Sequence, residues 1–559
     1  MNDVQRPPVS KAVARGQPQF ASADLQQVAS ALGPAAAWAR LASADDATLS
    51  AIGGDFGYGT VDDTGHGWLI ADPFATHPLC WTLRDGRLLF AERADALADA
   101  STEIDPQAIY DYLFFHCIPS PRTIYKGIYR LPAAHALRWN GQGEPRVWRY
   151  WTPQFVEPAR ADFETLKAEF RELLKQSVAR SLDGSKPACF LSGGTDSSTV
   201  AGMLREVTGQ GADSYSIGFE AEGYDEMAYA RIAAQRFGTR QHEYYVTPQD
   251  ILDGLPRVAN HYDQPFGNSS ALPAFYCGRM AQADGVSRIL AGDGGDELFG
   301  GNARYAKQRV FGWYQQVPGP LRRGLLEPLL LRGWSFPLLR KGGSYVEQAR
   351  VPMPARLSMY NLLLRVGPEA LLTPQLLAAV DAQGPQAHQQ GVWDQTPTAL
   401  ELNQTLAFDW RYTLAESDLP KVVGMTQAAG LGVAFPLLDR KLLDFSLRLP
   451  ADYKLKGLKL RWFFKEALRG FLPDEIITKQ KHGFGLPFGV WLNRHPALGR
   501  FAADAVRSLV GRRVVRGEFI ETLLSELLPQ HPGYYGELVW ILTVLELWLR
   551  DRKPDFRMP

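Results

Sequence analysis

The stretch Leu191-Ser192-Gly193-Gly194-Thr195-Asp196-Ser197-Ser198 decides how the rest of this chain is read. It continues an apolar run, Ala188-Cys189-Phe190-Leu191, with the texture of a buried strand, and leads into residues 197–206, whose spacing predicts a helix. Two glycines between strand and helix let the backbone turn tightly and approach an anion. Successive N–H groups and the helix N-terminus then present partial positive charge to it. Ser192, Ser197 and Ser198 add hydroxyls. An aspartate in such a loop repels phosphate unless a cation lies between them, which makes Asp196 a natural Mg²⁺ ligand. The plainer alternative is a glycine turn with Asp and Ser as ordinary helix caps. The GxxxxGK(S/T) phosphate loop is absent from the sequence.

Outward from this loop, β-like and helical runs alternate up to about residue 310. Helices are expected at 163–174 and 225–237, and strands at Ser214–Phe219 and Arg288–Ala291, the signature of a parallel α/β sheet. The last of these strands leads into Gly292-Asp293-Gly294-Gly295-Asp296-Glu297-Leu298-Phe299-Gly300-Gly301, three carboxylates among five glycines. A solvated turn is one reading, and the EF-hand spacing is missing. Beside the first loop, a second Mg²⁺ ligand is the more economical reading, because in a parallel sheet both loops lie at the carboxyl ends of strands, where ligands gather.

Residues 1–20 read as a polar arm. From 21 to 150 the chain is β-rich, with a hairpin turn at Asp85-Gly86 between Leu79–Leu83 and Arg87–Ala91, which predicts stacked sheets. Beyond 310 the pattern is mainly helical. It closes on Leu538–Leu549, apolar nearly all round and shorter than the ~18 residues that span a bilayer. A length of 559 residues implies two or three domains. Sixty Lys+Arg balance sixty Asp+Glu, which argues against a partner held by bulk charge, whether nucleic acid or membrane. No apolar signal segment opens the chain. The four cysteines (Cys80, Cys117, Cys189, Cys277) make neither a zinc pattern nor a disulfide framework, so a reduced, cytoplasmic protein is expected.

The first loop resembles the SGGxDS pyrophosphate loop of N-type ATP pyrophosphatases, and the two loops together resemble the asparagine synthetase family. The likeness runs over about 160–555: Gly223-Tyr224-Asp225-Glu226 with Tyr229-Ala230-Arg231, Asp263-Gln264-Pro265-Phe266 with Ser270-Ala271-Leu272-Pro273, Val433–Asp439, Lys459-Leu460-Arg461, Leu472-Pro473, and Lys479-Gln480-Lys481-His482-Gly483-Phe484. The resemblance implies an arm at 1–20, a degenerate Ntn-type, glutaminase-like β-sandwich at 21–155, and an ATP-pyrophosphatase parallel sheet with a helical extension at 156–559. It implies ATP and Mg²⁺ as cofactors, with Asp196 and Asp296 on the metal. Leu191, Ser192, Gly193, Gly194, Asp196, Ser197, Ile217, Gly218 and Gly292 would hold the nucleotide. Lys481 would be the catalytic lysine, and Asp293 stands where the family carries Glu.

Two departures shape the expected function. Asn2 follows Met1, no cysteine precedes Cys80, and the family's glutamine-binding motifs are not found in residues 1–60, so no glutaminase is expected. Lys421–Gly430 lacks the Asp-Arg and Glu-Ala-Arg groups that the family often carries there, which argues against free aspartate as substrate. Within the family, β-lactam synthetases and the macrolactam cyclases of lasso peptides also work without a glutaminase. The expected activity is therefore AMP-forming amide ligation, giving a lactam within a small molecule or peptide. A peptide substrate would bring a protease or leader-binding partner. Asparagine synthesis using ammonia or a separate glutaminase, and a non-catalytic nucleotide-binding scaffold, are the alternatives. Trp410, Tyr412 and Trp491 are expected to line a roomy substrate pocket.

Overall fold

The computed structural model describes residues 11–158, 162–332, 337–480 and 485–559. The N-terminal part carries eight strands, β1 (Ala12–Gly16), β2 (Phe56–Val61), β3 (Gly67–Ala71), β4 (Cys80–Arg84), β5 (Arg87–Ala91), β6 (Tyr129–Arg130), β7 (His135–Trp139) and β8 (Arg146–Arg149). They form two antiparallel sheets, one ordered β1-β2-β3-β7-β8 and one ordered β5-β4-β6. The sheets face each other across Val13, Leu69, Leu88, Phe90, Leu137 and Trp139. The outer face of the larger sheet is covered as well. Trp38, on the helix Pro34–Ala39, packs on Phe56, Tyr58 and Trp68 with ring centroids 4.9, 5.6 and 5.8 Å away.

The expected polar arm is thus corrected over its second half. Residues 12–16 are an edge strand paired antiparallel with β2, from Ala12 opposite Thr60 to Gly16 opposite Phe56. One inward residue, Val13, anchors this strand, too weak an alternation to stand out in the sequence. The β-rich region also contains helices at Ala23–Leu32, Asp46–Ser50 and Pro106–Phe115.

The second part is built on a parallel sheet of β9 (Ala188–Phe190), β10 (Asp213–Phe219), β11 (Arg240–Val246), β12 (Arg288–Leu290) and β13 (Gly432–Ala434), ordered β11-β10-β9-β12-β13. The helices Phe163–Ser181, Thr195–Thr208 and Met227–Phe237 share one core with β9. The helices Pro248–His261, Ala271–Ala283 and Pro532–Arg552 share another. The last of these explains the apolar run near the C-terminus. Residues 538–549 are all buried, with Trp540 and Trp548 among the largest enclosed side chains. Each large apolar side chain so buried stabilises by about 1.5–3 kcal/mol. Among the described residues no helix is long and apolar enough to cross a membrane.

Buried polar contacts lock the two parts together. Tyr112 Oη donates to the Ile541 carbonyl at 2.8 Å, and the Ala94 N–H donates to Asp263 at 2.7 Å. The π-helical segment Trp410–Asp418 carries a further such cluster. Glu416, almost wholly buried, pairs with both Arg130 and Arg411 and accepts from Ser120 Oγ at 2.7 Å. Burial alone would raise its carboxyl pKa, but the two guanidiniums prevail and hold it below the usual value. Trp410 stacks on Trp151, and Tyr412 stacks on Phe115 while hydrogen-bonding His388 at 2.6 Å. Trp491 sits edge-on to Phe219. The three expected pocket aromatics instead belong to packed clusters, because nearness in sequence to the motifs is not nearness to open space.

Candidate active site

The two glycine loops meet at the carboxyl edge of the parallel sheet. The first leaves β9 at Leu191 and enters the helix Thr195–Thr208 through Gly194. Gly193 has φ +70°, and a Cβ there would fall on the backbone of Tyr229 and Ala230, so the turn needs glycine. Inside the loop the hydroxyls of Ser192 and Ser197 are 3.1 Å apart, and Ser197 Oγ accepts from the Ser192 N–H at 3.2 Å. The second loop leaves β12 and starts the short helix Gly295–Phe299. Gly292 packs so closely on the first loop that a Cβ would lie 2.8 Å from the Ser197 nitrogen. The two loops therefore touch backbone to backbone.

Asp196 and Asp296 are brought together by one arginine. Arg461 Nη2 donates to Asp196 Oδ1, and Arg461 Nε lies 3.1 Å from Asp296 Oδ1. Two carboxylates sharing one cation beside an anion-binding loop form a donor set suited to Mg²⁺, which binds through one or two carboxylates and completes its shell with water and phosphate. Among the described residues no group of three or more His, Cys, Asp or Glu could hold a metal ion by itself.

Asp293 belongs to the second loop as well. Its carboxylate is 3.7 Å from Lys421 Nζ, which is itself 3.1 Å from Asp418. Burial pushes the Asp293 carboxyl up to about 6; Lys421 opposes the shift, while Asp418 and Asp196 add to it. Burial also acts to discharge Lys421, but Asp418 and Asp293 outweigh it and hold the ammonium charged. Glu297 is enclosed deeper, and burial, with Asp418 and Asp409 nearby, raises its carboxyl to about 8.

The remaining expected nucleotide residues line β9 and β10. Leu191 donates its N–H to the Tyr215 carbonyl at 2.9 Å, and its own carbonyl accepts from Ser216 Oγ at 2.7 Å. Ile217 pairs with Tyr244 in the sheet, and Gly218 lies against the Tyr245 ring and Asp225. Lys481 lies outside the described residues. Lys479, two positions earlier, is 2.9 Å from Glu226 and sits 4.5 Å over the ring of Tyr229, the residue against which Gly193 packs. Sequence reasoning gave no role to Arg461, Lys421 or Asp418. Arg461 was visible only as part of a motif, and Lys421 only as the start of a departing segment.

Comparison with known proteins agrees with this geometry. The asparagine synthase family matches residues 169–550, and a glutamine amidotransferase domain matches residues 38–151. The glutamine-hydrolysing asparagine synthetase 1 of Bacillus subtilis is 24% identical over 487 residues, which cover 85% of this chain and 74% of that protein. A putative glutamine-hydrolysing asparagine synthetase of Mycobacterium bovis is 28% identical over 494 residues, covering 85% of this chain and 73% of its own. Asparagine synthetase B of Escherichia coli is 30% identical over 207 residues, 34% of this chain and 36% of its own. With the two loops meeting at the carboxyl edge of a parallel sheet, the match over more than half its length means that the chain belongs to the asparagine synthase family and is an ATP-dependent carbon–nitrogen ligase.

Proposed function

We propose that this ligase adenylates a substrate carboxylate, releases pyrophosphate, and couples the acyl group to an amine without hydrolysing glutamine, closing a lactam or macrolactam in a natural product of the lasso-peptide kind. The observation that carries the adenylation is the convergence of Asp196 and Asp296 on one cation beside the Ser192–Ser198 loop. The loop's N–H groups and the hydroxyls of Ser192 and Ser197 hold the pyrophosphate. Asp196 and Asp296 would hold Mg²⁺, which would supply positive charge against the phosphates. The substrate carboxylate oxygen bonds to that phosphorus as the bond to pyrophosphate breaks. The amine then adds to the acyl carbon and loses a proton, and AMP leaves. Asp293, ionised above a pKa of about 6 and beside the Lys421 ammonium, takes that proton. Lys481 supplies positive charge to the phosphorus and the oxyanion, as the family resemblance implies.

The cysteines support ligation without a glutaminase. All four are buried. Burial raises every one of their thiols, that of Cys189 to about 12, so none offers a thiolate at neutral pH. We read residues 21–155 accordingly as a degenerate glutaminase domain kept for docking. The likeness to asparagine synthetases favours a second reading, asparagine synthesis with ammonia or a separate glutaminase as the nitrogen source.

Purified protein with ATP and Mg²⁺ distinguishes the two readings. Aspartate plus ammonia, aspartate plus glutamine, and peptides with a free N-terminus and an acidic side chain are supplied in turn. AMP and pyrophosphate are followed together, with mass spectrometry of the acid. AMP with a product one water lighter than a single peptide supports the cyclase. AMP with asparagine replaces it by asparagine synthesis, and nucleotide binding without AMP from any acid overturns both.

A further inference from the structure

We propose that Arg461 is an exchangeable counter-ion. In the metal-free protein its guanidinium holds Asp196 and Asp296 together, and it gives them up to a divalent cation only when nucleotide phosphate offers it a new anionic partner. The proposal rests on the reading of this site as one for a metal-bound nucleotide and adds the order in which its charges change hands.

Four observations carry it. One guanidinium engages both aspartates: Nη2 hydrogen-bonds Asp196 Oδ1, and Nε lies at ion-pair distance, 3.1 Å, from Asp296 Oδ1. A cation bound by both aspartates competes for these same oxygen atoms. The arginine is built in, because only 5% of it is exposed and its backbone N–H donates to the Gly300 carbonyl at 3.1 Å. Its backbone sits at φ +54°, ψ 35°, a left-handed conformation that a non-glycine residue adopts at a cost and that tertiary contacts must enforce. The surrounding glycines are spaced for the bridge. A Cβ at Gly295 would fall on Asp196 Oδ1 and lie 2.7 Å from Arg461 Nη2, and one at Gly301 would fall on Asp296 Oδ1.

Charge then sets the direction of exchange. A divalent cation and the guanidinium compete for the same two carboxylates in a partly buried place, where charges act strongly on one another. Free metal gains the carboxylates but strands the buried guanidinium without a partner. Metal arriving with a polyphosphate also brings the anion that the guanidinium needs, and bidentate phosphate contact suits arginine. Arg461 therefore makes metal entry depend on nucleotide.

Binding of Mn²⁺ alone, followed by its EPR signal without nucleotide or acid, tests the exchange. Arg461→Met removes the competitor and is expected to bind Mn²⁺ at least about tenfold more tightly than the unaltered protein. Arg461→Lys keeps a charge but cannot fork onto both carboxylates, so it is expected to fall between them. Asp196→Asn in the Met background is expected to abolish the gain. Melting curves show that each variant is folded, and the Lys variant alone decides the matter if the Met variant is not. Equal Mn²⁺ affinities, or weaker binding when the arginine is removed, overturn the proposal. A failure of every acid to give AMP would instead overturn the proposed ligation and leave these affinities untouched.

Discussion

Two buried arginine–carboxylate clusters in this molecule use the same groups in opposite proportion. At the domain interface, two arginines, Arg130 and Arg411, serve one carboxylate, Glu416, with Ser120 completing the shell. At the loops, one arginine, Arg461, serves two carboxylates, Asp196 and Asp296. The first arrangement is saturated with positive charge and closed, leaving no demand for an outside ion. The second is partly exposed and lies beside the Ser192–Ser198 loop. The contrast in arginine-to-carboxylate ratio and in exposure matches a structural lock in the first cluster and, on the proposed function, a cation site in the second.

The largest effect that would break this comparison is at the loops. Asp296→Asn is expected to lower AMP formation on the order of a thousandfold, measured as pyrophosphate release, with little change in the melting temperature. Comparable turnover in this variant would remove the distinction. Next comes the interface, where Glu416→Ala strands two buried guanidiniums. It should cost about 3–5 kcal/mol in denaturant unfolding, and a loss under 1 kcal/mol would show that the lock is ornamental.

A third buried carboxylate sharpens the comparison through pH. Asp72 pairs with no arginine among the described residues and accepts the N–H groups of Phe56, Phe74 and Thr76, with Asp55 and His77 nearby. Burial prevails there and raises its carboxyl to about 6. A raised folded-state pKa means stability that is complete below about pH 4 and lost as the pH rises through 6. Relative to Asp72→Asn, the unaltered protein should therefore lose roughly 3 kcal/mol between pH 4 and pH 7. Glu416, whose pKa is lowered, has the opposite sign: its contribution is present above its unfolded value of about 4.5 and fades in acid. Unfolding curves of Asp72→Asn and Glu416→Gln against pH should slope in opposite directions relative to the unaltered protein, and parallel slopes would refute the assignment. The smallest effect concerns the thiols. Native protein at pH 7 should show no fast-reacting cysteine by Ellman titration and no glutamate release from glutamine.

Much of the site was legible because its two loops are contiguous strings at strand ends, where glycine spacing and carboxylates are read directly. The strands at 188–190, 213–219 and 288–290 were legible for the same reason, being short apolar runs in a buried parallel sheet. What escaped depends on distant pairs. Arg461 is 265 positions from Asp196, and Arg130 is 286 from Glu416, separations that no local pattern encodes. The strand Arg240–Val246 escaped because, on the sheet edge, only its last residue is buried, so Arg-Gln-His-Glu-Tyr-Tyr carries no apolar run.

The π-helical segment Trp410–Asp418 has a consequence for how this chain may be divided. Glu416 points into the interface lock, and Asp418, two residues on, holds Lys421 beside Asp293. One short piece of backbone is therefore clamped at one end by Arg130 of the N-terminal sheets and aligns the ammonium facing the second loop at the other. Cutting the gene between the two parts would not liberate a smaller catalyst. It would remove Arg130 and Ser120, the N-terminal half of the clamp on the segment whose Asp418 holds Lys421.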